Sequence, residues 1–350
     1  MARTDHTPDP FAVRLVRWQH AHGRHDLPWQ STDPYRVWLS EIMLQQTQVA
    51  TVIPYYQRFT ESFPAVADLA AAPLDTVLSL WAGLGYYSRA RNLHAAAKRV
   101  MDRSGGQFPS NAEMLTELPG IGRSTAAAIA GFCFAERTPI LDGNVKRVLA
   151  RWAGIDGYPG EKAVEKRLWE LAEALLPTDA ADMPAYTQGM MDLGATLCTP
   201  RKPKCEACPL RQDCRAHIEG RQSELPTPKP KKAIPERSTV MLMIRSASGE
   251  ILLERRPESG IWGGLWSLPE VDSIETAVGA SCERFGLDIQ LGEPQPTLVH
   301  TFTHFRLTIL PIGASASGQL KGEAAWYSTQ QALALGIPTP IRKLLLRSGQ

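Results

Sequence analysis

The stretch Glu117-Leu118-Pro119-Gly120-Ile121-Gly122-Arg123-Ser124-Thr125-Ala126 decides the fold of the first part of the chain. Pro119 should end a short helix, because proline lacks a backbone donor and keeps the preceding residue out of the helical conformation. Gly120 and Gly122 allow a tight turn with positive φ, and the alanine-rich segment that follows is a strong helix former. The pattern predicts a helix–hairpin–helix at about residues 110–135. The free N–H groups that begin its second helix are suited to one phosphate.

The hairpin leads into Pro139-Ile140-Leu141-Asp142-Gly143-Asn144-Val145-Lys146. Asp142 precedes an amphipathic helix that we place at Val145 to Trp152. Aspartate is among the best N-caps, so a purely structural role explains it. A carboxylate held near a substrate explains it equally well, and both can be true. A short glycine motif alone is weak, so a helix corner that binds nothing is the alternative for the hairpin.

Glu41 is the only acidic residue between Asp33 and Glu61. Asp33 and Pro34 mark the start of its helix, which we expect to continue through Gln48 with an interruption near Pro54. A single glutamate on a helix is usually a solvated charge. Here the neighbours are large apolar residues and amides, and burial among them would raise the pKa of the carboxyl group. Glu41 is therefore a candidate general acid.

The composition describes a globular protein of two or three domains. The chain has 350 residues, 43% hydrophobic and 21% charged, with a formal net charge of +2. That charge neither requires nor excludes nucleic acid, so the distribution of charge must decide. No apolar run is long enough to cross a membrane, and no charged-then-apolar leader opens the chain. We expect a soluble protein in the cytoplasm, associated with the nucleoid in a bacterium, without a membrane partner.

Four of the six cysteines lie within seventeen residues, with the spacing Cys-x6-Cys-x2-Cys-x5-Cys. They are Cys198, Cys205, Cys208 and Cys214. Such crowding favours metal ligation in a reducing compartment over disulfides. Chemistry alone leaves zinc and an iron–sulfur cluster open, because both accept four thiolates. From residue 198 to 237 ten Lys and Arg face five Asp and Glu, a local positive excess suited to a DNA backbone.

Periodicity separates an all-α part from an α+β part. Residues before about 238 show helical spacing, including helices expected at Leu69–Leu80 and Met183–Thr196. The segment Leu225–Lys232, with three prolines and three lysines, is a linker. Beyond it the pattern predicts one helix and several strands, among them Thr297–Thr303 and His304–Leu310. We expect a helical core at 1–197, a cysteine loop at 198–216, a linker at 217–236 and an α+β domain at 237–350.

The hairpin together with the Asp142 segment resembles the helix–hairpin–helix–Gly-Pro-Asp superfamily of DNA base-excision glycosylases. The cysteine spacing is similar to the iron–sulfur loop of endonuclease III and of the MutY family of adenine DNA glycosylases. The last domain resembles the Nudix fold at Arg255-Arg256-Pro257 and at Gly260-Ile261-Trp262-Gly263-Gly264. Its helix lacks the glutamates that hold magnesium in Nudix hydrolases. The resemblance therefore implies a multidomain adenine DNA glycosylase whose Nudix-like domain recognises a lesion.

This resemblance implies a mechanism. Glu41 protonates the adenine, and Asp142 stabilises the sugar cation or attacks it transiently. Ser124 stands where endonuclease III-like enzymes carry a lysine, which predicts a monofunctional glycosylase without lyase activity. The substrate is double-stranded DNA with adenine opposite 8-oxoguanine or guanine, in base excision repair. A 4Fe–4S cluster on the four cysteines and a monomeric state are also implied.

Other site residues follow from the same resemblance, and they form three groups. The extruded adenine would be surrounded by Leu27, Trp29 and Gln188. The base opposite would meet Gln46, Thr47, the wedge residue Tyr86, and the loop residues Phe302, Thr303 and His304. The DNA backbone would meet Gly120, Gly122 and Lys146. The family more often has serine where Thr303 stands, and the hydroxyl is kept.

Three other functions are compatible with parts of the pattern. One is a pyrimidine-lesion glycosylase/lyase of endonuclease III type, which Ser124 and the C-terminal domain oppose. A second is a non-catalytic iron–sulfur DNA-binding protein. A third is a nucleotide-pool hydrolase, which the missing glutamates oppose.

Overall fold

The computed structural model describes residues 9–230 and 233–347. Residues 1–8, the linker residues Lys231 and Lys232, and residues 348–350 lie outside the described part. The chain forms two compact units. Unit 1 comprises residues 1–67 and 95–231, and unit 2 comprises residues 68–94 and 232–350.

Helices form all of the regular structure in the described part of the chain before Glu236. In chain order the first helices are α1 (Phe11–His22), α2 (Pro34–Leu44), α3 (Val49–Ser62), α4 (Val66–Ala71), α5 (Leu74–Trp81), α6 (Ser88–Ser104), α7 (Ala112–Thr116) and α8 (Arg123–Phe134). They are followed by α9 (Gly143–Ala153), α10 (Lys162–Ala174), α11 (Met183–Asp192) and α12 (Arg215–Ile218). A π-helical turn, Leu193–Leu197, extends α11, and short 3₁₀ turns lie at Cys205–Ala207 and Arg211–Asp213.

The predicted boundary of α2 was wrong. The helix ends at Leu44, and a turn with Gln46 in the left-handed region (φ 58°) separates it from α3. Pro54 lies inside α3 without breaking it. Pro54 and Ala50 are both exposed, so water can bind the Ala50 carbonyl that proline leaves without a donor. The break predicted near Pro54 therefore occurs at Gln45–Gln48.

The helix predicted at Leu69–Leu80 is also two helices, because Pro73 stands between α4 and α5. The helix predicted at Met183–Thr196 changes from α to π geometry after Asp192.

The core of unit 1 lies where α1, α9, α10 and α11 meet. Val145, Val148 and Leu149 are buried there, as the amphipathic pattern of α9 predicts. Trp152 packs against this core, and its ring meets Phe11 edge to face at 4.9 Å. Burial of one face of α9 fixes the position of its N-terminal residue, Asp142.

Unit 2 is built on a mixed sheet. Its strands are β1 (Glu236–Arg245), β2 (Ile251–Arg255), β3 (Trp266–Ser267), β4 (Glu270–Val271), β5 (Leu287–Pro294), β6 (Leu298–Thr301), β7 (Arg306–Gly318) and β8 (Ala325–Tyr327). The order β3-β2-β1-β7-β5 forms the main path, with β4 on β1, β6 on β7 and β8 on β2. β1 and β7 are parallel, with Glu236 opposite Arg306. The helices are α13 (Ala277–Phe285), α14 (Thr329–Ala334) and α15 (Thr339–Arg347).

The predicted α+β class of this unit is confirmed, and two boundaries differ. The strands predicted at Thr297–Thr303 and His304–Leu310 end at Thr301 and begin at Arg306, so residues 302–305 form the turn between them.

The segment Asp68–His94 belongs to unit 2, although it lies in the middle of the helical part of the sequence. Ser79 donates a hydrogen bond of 2.7 Å to the carbonyl oxygen of Ala334. Arg255 forms an ion pair of 2.7 Å with Asp75. The compact units therefore do not follow the boundaries expected from the sequence, because contacts distant in sequence decide where this segment packs.

Candidate functional site

A cleft of 540 Å³ opens in unit 1 between α2, α11 and the loop that follows α1. Glu41 lines it from α2. Leu27 and Trp29 line it from the loop, and Gln188 lines it from α11. The structure thus brings the expected proton donor and the three expected adenine contacts to one cavity. Neither Asp142 nor Ser124 is among the residues that line it.

The loop wall of this cleft is held by its own hydrogen bonds. Gln30 accepts from the main-chain N–H of Leu27 at 3.1 Å and donates to the carbonyl oxygen of Arg24. Arg24 forms an ion pair of 2.7 Å with Asp192, which is fully buried at the end of α11. Groups of the chain itself therefore hold this wall in place.

Burial, together with the smaller effect of the nearby charge of Asp142, raises the pKa of Glu41 from 4.5 to about 8. Its neighbours on α2, Ser40 and Ile42, are buried. A carboxyl group with such a pKa keeps its proton at neutral pH. Glu41 can therefore donate a proton to a group in the cleft.

Asp142 is the N-cap of α9. Its Oδ1 accepts from the main-chain N–H of Val145 at 2.8 Å, and Asn144 approaches Oδ2 at 3.5 Å. Burial raises the pKa of Asp142, while these hydrogen bonds and the charge of Arg147 lower it. Burial is the largest of these effects, so the pKa of Asp142 lies above its ordinary value, while the N–H donors and Arg147 act to stabilise its charged form. The N-cap and a carboxylate available to a substrate are thus compatible in one residue, as the sequence analysis allowed.

Ser124 lies in the first turn of α8. Its Oγ accepts a hydrogen bond of 2.9 Å from the main-chain N–H of Leu141, the residue before Asp142. The hydroxyl therefore joins the hairpin to the segment that carries Asp142. A hydroxyl cannot form the imine that a lysine forms at a sugar aldehyde.

The hairpin glycines differ from each other. Gly120 has φ +79°, as predicted. The positive φ expected at Gly122 was wrong, because Gly122 is the N-cap of α8 with φ −89°. A Cβ built on Gly122 meets no atom within 4 Å. The surface beside this glycine is open, so another molecule can approach the backbone closely there.

Lys146, expected on a DNA phosphate, forms an ion pair of 2.6 Å with Glu165 of α10. Arg123 of α8 lies over the ring of Trp169 on α10, 3.8 Å from its centroid.

Gln46 and Thr47 lie in the turn between α2 and α3. Gln46 is exposed, and its left-handed backbone is uncommon for a residue other than glycine. The main-chain N–H of Thr47 donates to Leu44 at 3.2 Å.

The four clustered cysteines line one cavity, with Val148 and Leu197 among their neighbours. Among residues 9–230 and 233–347, no three His, Cys, Asp or Glu side chains are grouped to hold a metal ion. Donors nevertheless reach the sulfurs: Arg151 lies 3.4 Å from Cys198 Sγ, and Gln222 lies 3.9 Å from Cys205 Sγ. Four cysteine sulfurs around one cavity, two of them approached by N–H donors, fit an iron–sulfur cluster.

Two arginines of α9, which no sequence pattern distinguishes from surface arginines, bind the chain around the first cysteine. Arg147 donates from Nε to the carbonyl oxygen of Cys198 at 2.7 Å. Arg151 is buried and donates to the carbonyl oxygens of Thr199, Pro200 and Leu225. α9 therefore carries Asp142 at its start and holds the cysteine loop further along.

A second cleft, of 650 Å³, lies within unit 2. Tyr86 and the turn residues Phe302, Thr303 and His304 line it together. Tyr86 is 43% exposed and has φ 48°. The ring of Phe302 stacks on Phe305 at 4.5 Å. An exposed ring on a strained backbone beside an aromatic turn suits contact with a base.

Comparison with known proteins agrees with this architecture. Residues 39–174 match the HhH-GPD superfamily of base excision DNA repair proteins, and residues 198–214 match the iron-sulfur binding domain of endonuclease III. Residues 240–347 match the NUDIX domain. An adenine DNA glycosylase of Buchnera aphidicola (subspecies Schizaphis graminum) is 39% identical over 96% of this chain and 97% of its own. The chain belongs to the adenine DNA glycosylase family. A human adenine DNA glycosylase is 34% identical over 95% of this chain and 73% of its own.

Two solved structures are similar to the helical part of this chain. A thermostable thymine-DNA glycosylase is 31% identical, with a TM-score of 0.54, over 60% of this chain and 95% of its own. A non-covalent endonuclease III–DNA complex is similar in fold, at 21% identity and a TM-score of 0.50 over 60% of this chain and 94% of its own.

The family membership fixes several properties. The chain is a DNA N-glycosylase that releases adenine in base excision repair, and it binds DNA. The cysteine loop holds a 4Fe–4S cluster, so the zinc alternative is dropped. Cys198, Cys205, Cys208 and Cys214 are the residues that fit it. None of the helices in the described ranges is both long and apolar enough to cross a membrane.

Proposed function

We propose that this adenine glycosylase acts on adenine mispaired with 8-oxoguanine or guanine and that it is monofunctional. A base inside a duplex cannot be reached, so the adenine must be extruded into the cleft. Leu27, Trp29 and Gln188 would then surround it. The proposal rests chiefly on one observation: Glu41, whose raised pKa keeps it protonated, faces that cleft.

The chemistry follows from the two carboxyl groups. Glu41 donates its proton to N7 of the adenine, which makes the base a better leaving group. As the glycosidic bond lengthens, positive charge develops on the sugar. Asp142, with N–H donors on its oxygens, stabilises that charge or bonds to it transiently, as paired carboxylates do in retaining glycosidases. Water then completes the abasic site. Ser124 cannot attack as an amine would, so the strand stays intact.

The aromatic cleft of unit 2 is proposed to read the base opposite the adenine. Phe302, Thr303 and His304 would meet it, with Tyr86 as the wedge beside it. This role supports a functional domain at 237–350 that acts on the lesion, with the helical core at 1–197 performing the chemistry. Gln46 and Thr47 would contact the orphaned base, and Gly120, Gly122 and Lys146 the backbone. The enzyme is proposed to act as a monomer.

Single-turnover base release tests this proposal. Duplexes carry one adenine opposite 8-oxoguanine, guanine or thymine, and abasic product is developed with alkali. Wild type should release adenine opposite 8-oxoguanine and guanine but not opposite thymine, and Glu41→Gln should release none. Glu61→Gln, an exposed change of the same kind on α3, is the control and should match wild type. Strand cleavage without alkali would contradict the monofunctional assignment.

A further inference from the structure

Asp192 is a fully buried carboxylate that accepts three hydrogen bonds. Its Oδ1 accepts from Nε of Arg24 at 2.7 Å and from Nε2 of Gln188 at 2.8 Å. Its Oδ2 accepts from the main-chain N–H of Arg24 at 2.8 Å. All three partners are N–H donors, so Asp192 acts only as an acceptor in these contacts.

The contact with Gln188 decides which end of that amide is available to a ligand. A carboxylate accepts hydrogen bonds and does not donate them, so Gln188 must offer it the NH₂ group. The opposite assignment would set an amide oxygen against a carboxylate oxygen. With Nε2 donating to Asp192, Oε1 of Gln188 is available as an acceptor, and no residue in the described ranges donates to it. Gln188 lines the same cleft as Glu41.

Adenine and the 6-oxopurines differ at the position that such an oxygen can test. Adenine carries an amino group at C6, which donates, whereas guanine and hypoxanthine carry an oxygen there, which accepts. We propose that Asp192 is a positioning residue that makes the cleft selective for 6-aminopurines. It does so by holding Gln188 with Oε1 toward the base. This inference rests on the proposed function, in which the cleft receives the extruded adenine.

The same carboxylate also fixes the opposite wall. Arg24 begins the loop that carries Leu27 and Trp29, and both its main-chain N–H and its side chain bind Asp192. Because Asp192 is buried, losing one donor would leave a carboxylate oxygen partly unsatisfied. This cost opposes rotation of the Gln188 amide. A cleft that fixes a polar group in this way discriminates strongly against a base that cannot pair with it.

Asp192→Asn tests the proposal directly. An asparagine side chain can donate, so Gln188 is free to turn and offer Nε2 to the base. Single-turnover release is measured from duplexes with adenine, purine or hypoxanthine at one position, and each rate is divided by that of wild type. The ratio of adenine to hypoxanthine release should fall at least about tenfold in Asp192→Asn, the scale of a mispaired hydrogen bond. Purine has no group at C6 and should be affected less than adenine.

Two further variants separate selectivity from structure. Gln188→Met keeps a side chain of similar length but removes the acceptor, and it should lower the same ratio; it decides the question if Asp192→Asn does not fold. Arg24→Lys keeps a cation beside Asp192 but loses the Nε contact. It should slow release of all three bases alike and leave the ratio within about twofold of wild type.

Three results would overturn the proposal. Unchanged ratios in both Asp192→Asn and Gln188→Met would show that the amide does not select the base. An equal loss of selectivity in Arg24→Lys would reduce Asp192 to a structural support of the loop. Failure of wild type to release adenine would overturn the proposed function itself, and this inference with it.

Discussion

Nε of Arg147 donates a hydrogen bond of 2.7 Å to the carbonyl oxygen of Cys198. The same guanidinium group donates to Gly194 at 2.7 Å and to Asn144 at 2.9 Å. Asn144 in turn approaches Asp142. A single side chain thus connects a cysteine of the cluster loop with the residues around the proposed catalytic carboxylate.

Arg147→Met should weaken both the loop and the site. The change removes four hydrogen bonds that this half-buried side chain donates, and each acceptor left unsatisfied costs about 1–3 kcal/mol. We expect a lower urea midpoint, followed by the cluster absorbance at about 400 nm. We also expect slower adenine release in the single-turnover assay. Arg167→Met, at an exposed position on α10, is the control and should change neither quantity. Wild-type stability and rate in Arg147→Met would contradict this link.

The pH dependence of base release should report the proton on Glu41. Its pKa is raised to about 8, so the acid is protonated at neutral pH and loses its proton as the pH rises through that value. The single-turnover rate should therefore fall about tenfold for each further pH unit. The measurement is a series of single-turnover experiments across this pH range. A rate that begins to fall near the ordinary pKa of glutamate, 4.5, would exclude Glu41 as the acid.

Sequence alone was informative where one residue stood apart from its neighbours. Glu41 is an isolated acid in an apolar helix, and the four cysteines have a distinctive spacing. Asp192 carries the same kind of signal, since it lies between Met191 and Leu193, although no motif includes it. A single carboxylate among apolar residues is a useful indication of a buried network.

Other features depend on contacts that no local pattern contains. Arg147 and Arg151 have the same local appearance as surface arginines, and only the fold brings carbonyl oxygens of the cysteine loop to them. The segment Asp68–His94 has helical periodicity like its neighbours, yet it packs with unit 2. The conformation of Gly122 was also beyond local reasoning, because an extended N-cap and a left-handed turn both suit glycine.

The Glu41→Gln variant should become more stable relative to wild type as the pH rises. The folded-state pKa of Glu41, about 8, lies above its ordinary value of 4.5. Its contribution to stability is therefore complete below about pH 4.5 and is lost as the pH rises through about 8. Glutamine has no charge to bury, so its stability advantage over wild type should grow by about 1 kcal/mol or more between about pH 5 and about pH 9. Urea unfolding of both proteins measures it, with Glu61→Gln expected to show no such trend.

Glu165 should limit a side reaction of Lys146 with the abasic product. Lys146 lies one helical turn after Asp142, and its amine forms an ion pair of 2.6 Å with Glu165 on α10. Glu165→Gln removes that charge. The freed amine can then attack the sugar aldehyde to form an imine with loss of water, and borohydride reduces the imine to a stable crosslink. We expect more crosslinked DNA in Glu165→Gln than in wild type, measured on denaturing gels.

The matched control for this reaction is Glu170→Gln. Glu170 pairs with Lys166 on the same helix at 3.8 Å, so the charge change is equal while Lys146 keeps its partner. Crosslinking should stay at the wild-type level in this variant and should disappear in the double variant Glu165→Gln with Lys146→Gln. An equal rise in both single variants would mean that the overall charge of α10, rather than the ion pair with Lys146, controls the reaction.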